Sequence, residues 1–126
     1  MLRIGVDMIE VERIEQAMAR HGERFLARFF TPNERAQCQE NAARLAARFA
    51  AKEAAAKALG TGIGDVRWVE IEVCSDERGR PELLLHGAAS QLASELGLHN
   101  WQVSLSHTQG YAIAFVVALG IPPEDQ

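Results

Sequence analysis

Asp7, Glu53 and Lys57 are the residues whose types and settings call for chemistry. Asp7 lies inside the apolar stretch LRIGVDMI, beside Gly5, and Glu53 and Lys57 lie in RFAAKEAAAKALG, residues 48–60. Aspartate is disfavoured in a strand interior, so its presence needs a reason. One reason is local, since an aspartate at this point can cap the helix that follows. The other is a hard divalent cation. Magnesium takes one or two carboxylates, keeps some waters and draws its remaining oxygens from substrate phosphates, and nearby lysines neutralise those phosphates. Asp7, Glu53 and Lys57 together read as a magnesium–phosphate site.

The segment that carries Glu53 is unusual in its own right. Projected at about 100° per residue, Leu45, Phe49, Ala56 and Leu59 fall on one side with Lys52 among them. Arg48 flanks that sector on one side, Glu53 and Lys57 on the other, and the opposite side is alanine. An alanine face suits close packing, whereas a solvated face normally carries the polar groups. A lysine among large apolar residues must find a partner, reach water along its stem, or bind something. The bland reading is that Glu53 and Lys57 form an i,i+4 pair worth ~0.2–0.5 kcal/mol and nothing more.

Two further features are open between a solvated and a functional reading. His107 sits in SHTQG, a tight connection with Ser106 and Thr108; it is a solvated loop residue, or beside a phosphate site it donates to an oxygen or carries a proton. Arg13, Arg20 and Arg24, with Arg28 if the helix continues, mark one side of the first helix as basic. That stripe is a solvated face, or the docking surface for an acidic partner.

These residues must be held by ordinary elements. LRIGVDMI alternates Leu2, Ile4, Val6 and Met8 with Arg3, Gly5 and Asp7 and predicts a strand with one buried face. EVERIEQAMARH predicts a helix closed by Gly22. TPNE is a capping box with Thr31 at the N-cap, Pro32 first in the helix and Glu34 three beyond the cap. The alanine helix runs from about Arg44 to Leu59 with Gly60 as its stop, and TGIG makes a flexible turn. VRWVEIEVC and ELLLHG read as strands joined by DERGRP, AASQLASELGL as a short helix, and WQVSLS and YAIAFVVAL as a hairpin across HTQG. The fold class is α+β, a single domain over 1–126 with an antiparallel sheet, packed helices and a tail over 119–126.

Composition fits this. The 126 residues are 48% hydrophobic and 24% charged, which suits one soluble globular domain. A chain this short has a modest core, so a shared subunit interface would add burial. A net charge of −4 argues against a nucleic-acid coat. Two cysteines without CxxC spacing suggest idle thiols in a reducing compartment. With no signal-like start and no apolar run near the ~20 residues of a membrane span, a cytoplasmic protein away from membranes is expected.

Taken in order, IGVDMIEVERI, FTPNE, RFAAKEAAAKALG and VSLSHTQGYAIAFVVA, with GRPELLLHG between the last two, resemble the holo-[acyl-carrier-protein] synthases, the small bacterial 4′-phosphopantetheinyl transferases. The resemblance spans residues 2–119. It implies the 4′-phosphopantetheinyl transferase fold, coenzyme A as substrate and apo acyl carrier protein as acceptor, with release of 3′,5′-ADP. Carried over, it makes Asp7 and Glu53 the Mg²⁺ ligands and puts Lys57 and His107 on the coenzyme A phosphates, with Arg48, Lys52, Ser106 and Thr108 in the same neighbourhood. Arg13, Arg20, Arg24 and Arg28 receive the carrier protein. A homotrimer with shared sites would bring Gly79, Arg80 and Pro81 to the nucleotide across an interface. In some members an acid follows the histidine; here it is Thr108. Glu53, Asp7 through a metal-bound water, and His107 all remain open as general base. Two rivals are a magnesium-dependent nuclease, which would want a basic groove with aromatics, and a non-catalytic module that binds an acidic protein through its arginines.

Overall fold

The computed structural model describes residues 1–61 and 64–121. The middle of the expected TGIG turn and the expected PPEDQ tail lie outside the described residues. Strand β1 (Leu2–Glu10) runs directly into helix α1 (Val11–His21). Gly22, at φ 50° and ψ −123°, ends α1 in a conformation that side chains with a Cβ rarely adopt. A separate helix α2 (Glu23–Phe29) starts there, so the basic stripe does not continue on one axis. Thr31 then opens α3 (Pro32–Cys38) with the capping box that TPNE predicts, each of Thr31 and Glu34 bonding the other's backbone.

Helix α4 (Ala42–Leu59) begins two residues before the expected start, because the Asn41 side chain caps it by accepting from the Arg44 N–H. Beyond it, Trp68–Glu70 form a 3₁₀ turn where a strand is expected, and strand β2 is only Ile71–Ser75. The Glu70 carboxylate explains the departure: it accepts from its own N-cap at Arg67 and from Ala88, drawing the chain into a turn. Strand β3 (Pro81–Leu85), helix α5 (Gly87–Glu95), and the hairpin β4 (Leu98–His107) and β5 (Tyr111–Gly120) follow. The expected tail therefore begins too early, since Leu119 and Gly120 are still in β5.

The strands form two antiparallel sheets in place of one: a three-stranded sheet in the order β1-β5-β4 and the hairpin β2-β3. Helix α4 lies against the larger sheet, and the packing is close enough to dictate residue size. A Cβ on Gly5 would drive into the Ala54 carbonyl. Across from Gly5, β5 offers Ala112, Ala114, Val116 and Ala118, all buried against α4, whose own alanines at 46, 47, 50, 51, 54, 55 and 58 are buried too. The alanine face is a packing face, as its composition suggests.

That close packing reverses the expectation for β1. Leu2, Ile4, Val6 and Met8 face away from α4 and are 48–61% exposed, while Gly5, Asp7 and Ile9 face the helix. The large apolar residues have no room on the helix side, so the alternation is right and its sense is inverted.

Candidate active site

Close packing of β1 on α4 is what assembles the site. Asp7 stands on the helix-facing side of β1, paired in register with Ala114 of β5. Lys57, in the last turn of α4, donates to the Val6 carbonyl at 2.8 Å and to Asp7 Oδ1 at 3.2 Å. Glu53 lies one helical turn before Lys57 on the same side. Burial and then the charge of Asp7 raise the Glu53 pKa, with Lys57 opposing. Two carboxylates are thus held close enough to feel each other, with one cation beside them. The Asp7–Lys57 contact also shows that the aspartate is spent on the helix above β1, in place of capping α1, where Glu10 is the N-cap residue.

Among the described residues no group of three or more His, Cys, Asp or Glu gathers into a metal cage. Two carboxylates suit a hard cation that completes its shell with water and substrate phosphate. They do not suit a closed structural zinc site, which takes four protein ligands.

Lys52 corrects an expectation. It is 0% exposed and sits on the other side of the helix, at 2.7 Å from Glu34 Oε1, 3.0 Å from the Trp68 carbonyl and 2.6 Å from the Ile71 carbonyl. An ammonium has three protons, and all three are used, so none is left for a phosphate. Burial lowers the Lys52 pKa while Glu34 raises it. The apolar sector around it is real, and the partner is an internal carboxylate.

Arg48 also departs from the expected cluster. It precedes Lys57 by nine residues, two and a half turns, which puts the two on opposite faces of α4 and about 13 Å apart along the axis. Only 6% exposed, it donates from Nη2 to Ser75 Oγ at 3.0 Å and to Gln37 Oε1 at 3.4 Å, and its buried Nε has no partner. With Gln37, Arg44, Ser75, Asp76 and Gly79 it lines a cleft of about 410 Å³. The structure therefore brings Arg48 to Gly79, on the face of α4 opposite Lys57. Sequence reasoning missed Gln37, Arg44 and Ser75 here; the i,i+4 spacing of Arg44 and Arg48 was the available signal.

The two hairpins occupy different places. Arg80 and Pro81 line a second cleft with Trp101, Gln102 and Val103, and Arg80 bonds Gln102 at 3.2 Å. At the β4–β5 turn, His107 pairs with Ala112, which also pairs with Ile9, so His107 lies on the same sheet face as Asp7, two strands away. Ser106 is on the opposite face. Thr108 Oγ1 accepts from the N–H groups of Gly110 and Tyr111, so this hydroxyl holds the turn. Gly110 in turn accepts from Val11 N–H, fastening the turn to the start of α1. Arg13 and Arg20 on α1 and Arg24 and Arg28 on α2 are all exposed, and Arg24 and Arg28 flank a groove with His21, Phe25 and Phe29.

Known proteins give this geometry its setting. Residues 3–116 match the family model of the 4′-phosphopantetheinyl transferase superfamily. A holo-[acyl-carrier-protein] synthase of Herpetosiphon aurantiacus is 54% identical over 95% of this chain and all of its own length, and one of Moorella thermoacetica is 51% identical over 90% and 91%. Among solved structures, the Helicobacter pylori synthase in complex with coenzyme A superposes with a TM-score of 0.85 at 32% identity, covering 92% of this chain and 99% of that one. The Neisseria meningitidis synthase gives 0.85 at 38% identity, covering 93% and 97%. The chain belongs to the 4′-phosphopantetheinyl transferase superfamily, among the holo-[acyl-carrier-protein] synthases.

Proposed function

We infer that this chain transfers the 4′-phosphopantetheine arm of coenzyme A to a serine of apo acyl carrier protein and releases 3′,5′-ADP. The observation that carries the reading is the juxtaposition of Asp7, Glu53 and Lys57 where β1 meets α4. Family membership favours this transferase chemistry over the nuclease and over a non-catalytic module.

Asp7 and Glu53 are the residues that would hold Mg²⁺, and the paired, mutually repelling carboxylates fit it. When bound, the ion would neutralise charge on the pyrophosphate and make its β-phosphorus more electrophilic. Lys57, fixed by the Val6 carbonyl and Asp7, has one proton left, which would stabilise the leaving 3′,5′-ADP oxygens. The carrier serine oxygen attacks phosphorus, the bond to the nucleotide oxygen breaks, and the serine proton passes to a base. Asp7 and His107 lie on the helix-facing side of the sheet and Glu53 on α4 above it, and these three are the candidates for that base. Arg13 begins the basic surface six residues after Asp7, which suits an acidic carrier protein delivered to the metal pair.

The split between Lys57 and Arg48 supports a site shared between copies of the chain. One copy would supply Asp7, Glu53, Lys57 and His107, and its neighbour Arg48 and the turn at Gly79, Arg80 and Pro81. The outer face of β1 and β5 supports the same assembly, a trimer by family resemblance. Two free cysteines suit a reducing, cytoplasmic setting, and no helix among the described residues is long and apolar enough to cross a membrane.

The test is intact-mass spectrometry of an apo acyl carrier protein incubated with the protein, coenzyme A and magnesium, with an EDTA control. A gain of one phosphopantetheine, absent with EDTA, is the expected result. Folded protein that gives no gain with several carrier proteins overturns the reading.

A further inference from the structure

Strand β2 has one edge paired with β3, and its other edge is closed by side chains. Lys52 donates to the Ile71 carbonyl, Glu34 Oε2 accepts from Val73 N–H at 2.9 Å, and Gln37 engages both backbone groups of Ser75. Residues 71, 73 and 75 present their N–H and C=O groups to the same side of the strand, so α3 and α4 supply a surrogate neighbour. Glu34 and Gln37, at i and i+3 on α3, lie at the spacing that reaches alternate strand residues. Gln37 does this most fully: its Nε2 donates to the Ser75 carbonyl at 3.1 Å and its Oε1 accepts from Ser75 N–H at 2.9 Å. The opposite amide orientation would set donor against donor, so both bonds select this one.

What hangs from Ser75 is the turn that carries Gly79. That turn is internally braced: Asp76 Oδ1 accepts from the N–H groups of Arg78 and Arg80, Gly79 N–H donates to the Asp76 carbonyl, and Asp76 N–H donates to the Arg80 carbonyl. A braced turn moves as one body, placed by its base at Ser75 and by the bond from Arg80 to Gln102 on β4. At the base Ser75 pairs in register with Pro81, and its own N–H and C=O face the free edge, away from β3. On the free edge, Gln37 bonds the Ser75 backbone, Arg48 donates to the Ser75 hydroxyl, and Arg48 donates to Gln37.

We propose that Gln37 is a positioning residue for coenzyme A: by closing the free edge of β2 at Ser75 it holds the Gly79–Pro81 turn in register with the Arg48 guanidinium. The role rests on the function proposed above, in which Arg48 and this turn serve the nucleotide. Gln37 is itself only half-buried. Because its bonds to Ser75 are only part-buried, water can take the place of the lost amide, while the turn is freed to shift over the cleft.

The experiment compares wild type with Gln37→Met, of similar length and without the amide, and with Asn33→Ala as a control on the same helix. Asn33 is exposed, and its side chain donates to the Cys74 sulfur. Steady-state kinetics, equilibrium dialysis with coenzyme A and thermal melts are measured for each. Gln37→Met is expected to raise the KM and the dialysis Kd for coenzyme A about tenfold, a change of about 1.4 kcal/mol, with kcat, the KM for carrier protein and the melting temperature near wild type. Asn33→Ala is expected to match wild type throughout. Unchanged coenzyme A affinity in Gln37→Met overturns the role, as does a loss of kcat that tracks a fall in melting temperature. If wild type binds coenzyme A and transfers its arm while Gln37→Met equals it, the role alone fails. If wild type binds no coenzyme A, both the role and the function fail.

Discussion

At the scale of single residues, the site is a compromise between charge and fold. Glu53 is desolvated against the packed sheet and faces the charge of Asp7, and both effects raise its pKa against the opposing charge of Lys57. The folded chain therefore keeps that proton to a higher pH than the unfolded chain does. The sign follows from linkage: the stability that the proton confers is present at low pH and is lost as pH rises through the raised pKa. Glu53→Gln never acquires the charge. In EDTA it is expected to melt above wild type at pH 7, and the two melting curves should converge as pH falls and wild type takes up its proton. The same variant removes a group that would hold the metal and is expected to lower transfer by two or more orders of magnitude, on the order of what one charge-stabilising group contributes. A variant that melts below wild type at pH 7, or that keeps its activity, contradicts this account. Lys52 shows the opposite arrangement, a cation enclosed with a carboxylate and two carbonyls and so withdrawn from chemistry.

At the scale of elements, the contact of α4 with β1 is the device that makes the site. It depends on Gly5, whose missing Cβ lets the strand approach the Ala54 carbonyl and so brings Asp7 under Glu53 and Lys57. Gly5→Ala forces the two apart. Overpacking of this kind costs about 1–3 kcal/mol, and here it also pulls Asp7 away from Lys57. The expected outcome is a lowered melting temperature and a weakened response to magnesium, read as a higher magnesium concentration at half-maximal transfer. A stable variant with wild-type magnesium dependence contradicts it. Much of this was legible in the amino-acid sequence, because caps, breakers and alternation are local: Thr31 and Glu34, Gly22, and the two-residue rhythm of β1 and β5 each mark their own element. Asp7, Glu53 and Lys57 were legible together because their residue types conflict with their settings. The inverted sense of β1, the fate of Lys52 and the separation of Arg48 from Lys57 were not. Each depends on which element packs against which, and alternation or helical spacing gives a face without saying what covers it.

At the scale of the whole molecule, the outward face of the large sheet is the feature a lone chain leaves unexplained. Leu2, Ile4, Val6 and Met8 of β1 pair in register with Leu119, Val117, Phe115 and Ile113 of β5, and seven of these eight large apolar side chains are exposed. Contiguous apolar surface of that kind marks a site of association. Burying one such side chain fully is worth about 1.5–3 kcal/mol, so a few of them, shared between copies, outweigh the modest core of a 126-residue chain. The proposed division of the active site gives the association a purpose, because Arg48 lies on the face of α4 opposite Lys57, about 13 Å along the axis. A carboxylate placed in the middle of this face would be desolvated on assembly but free in the monomer, so Phe115→Asp is expected to separate the copies without unfolding them. Light scattering after size exclusion should then give the mass of one chain where wild type is expected to give three, with unchanged circular dichroism. Transfer should fall with the assembled fraction, and it should recover in part at high protein concentration if the copies complete one another's sites. A variant that is monomeric and fully active would separate the apolar face from catalysis and return the whole site to one chain.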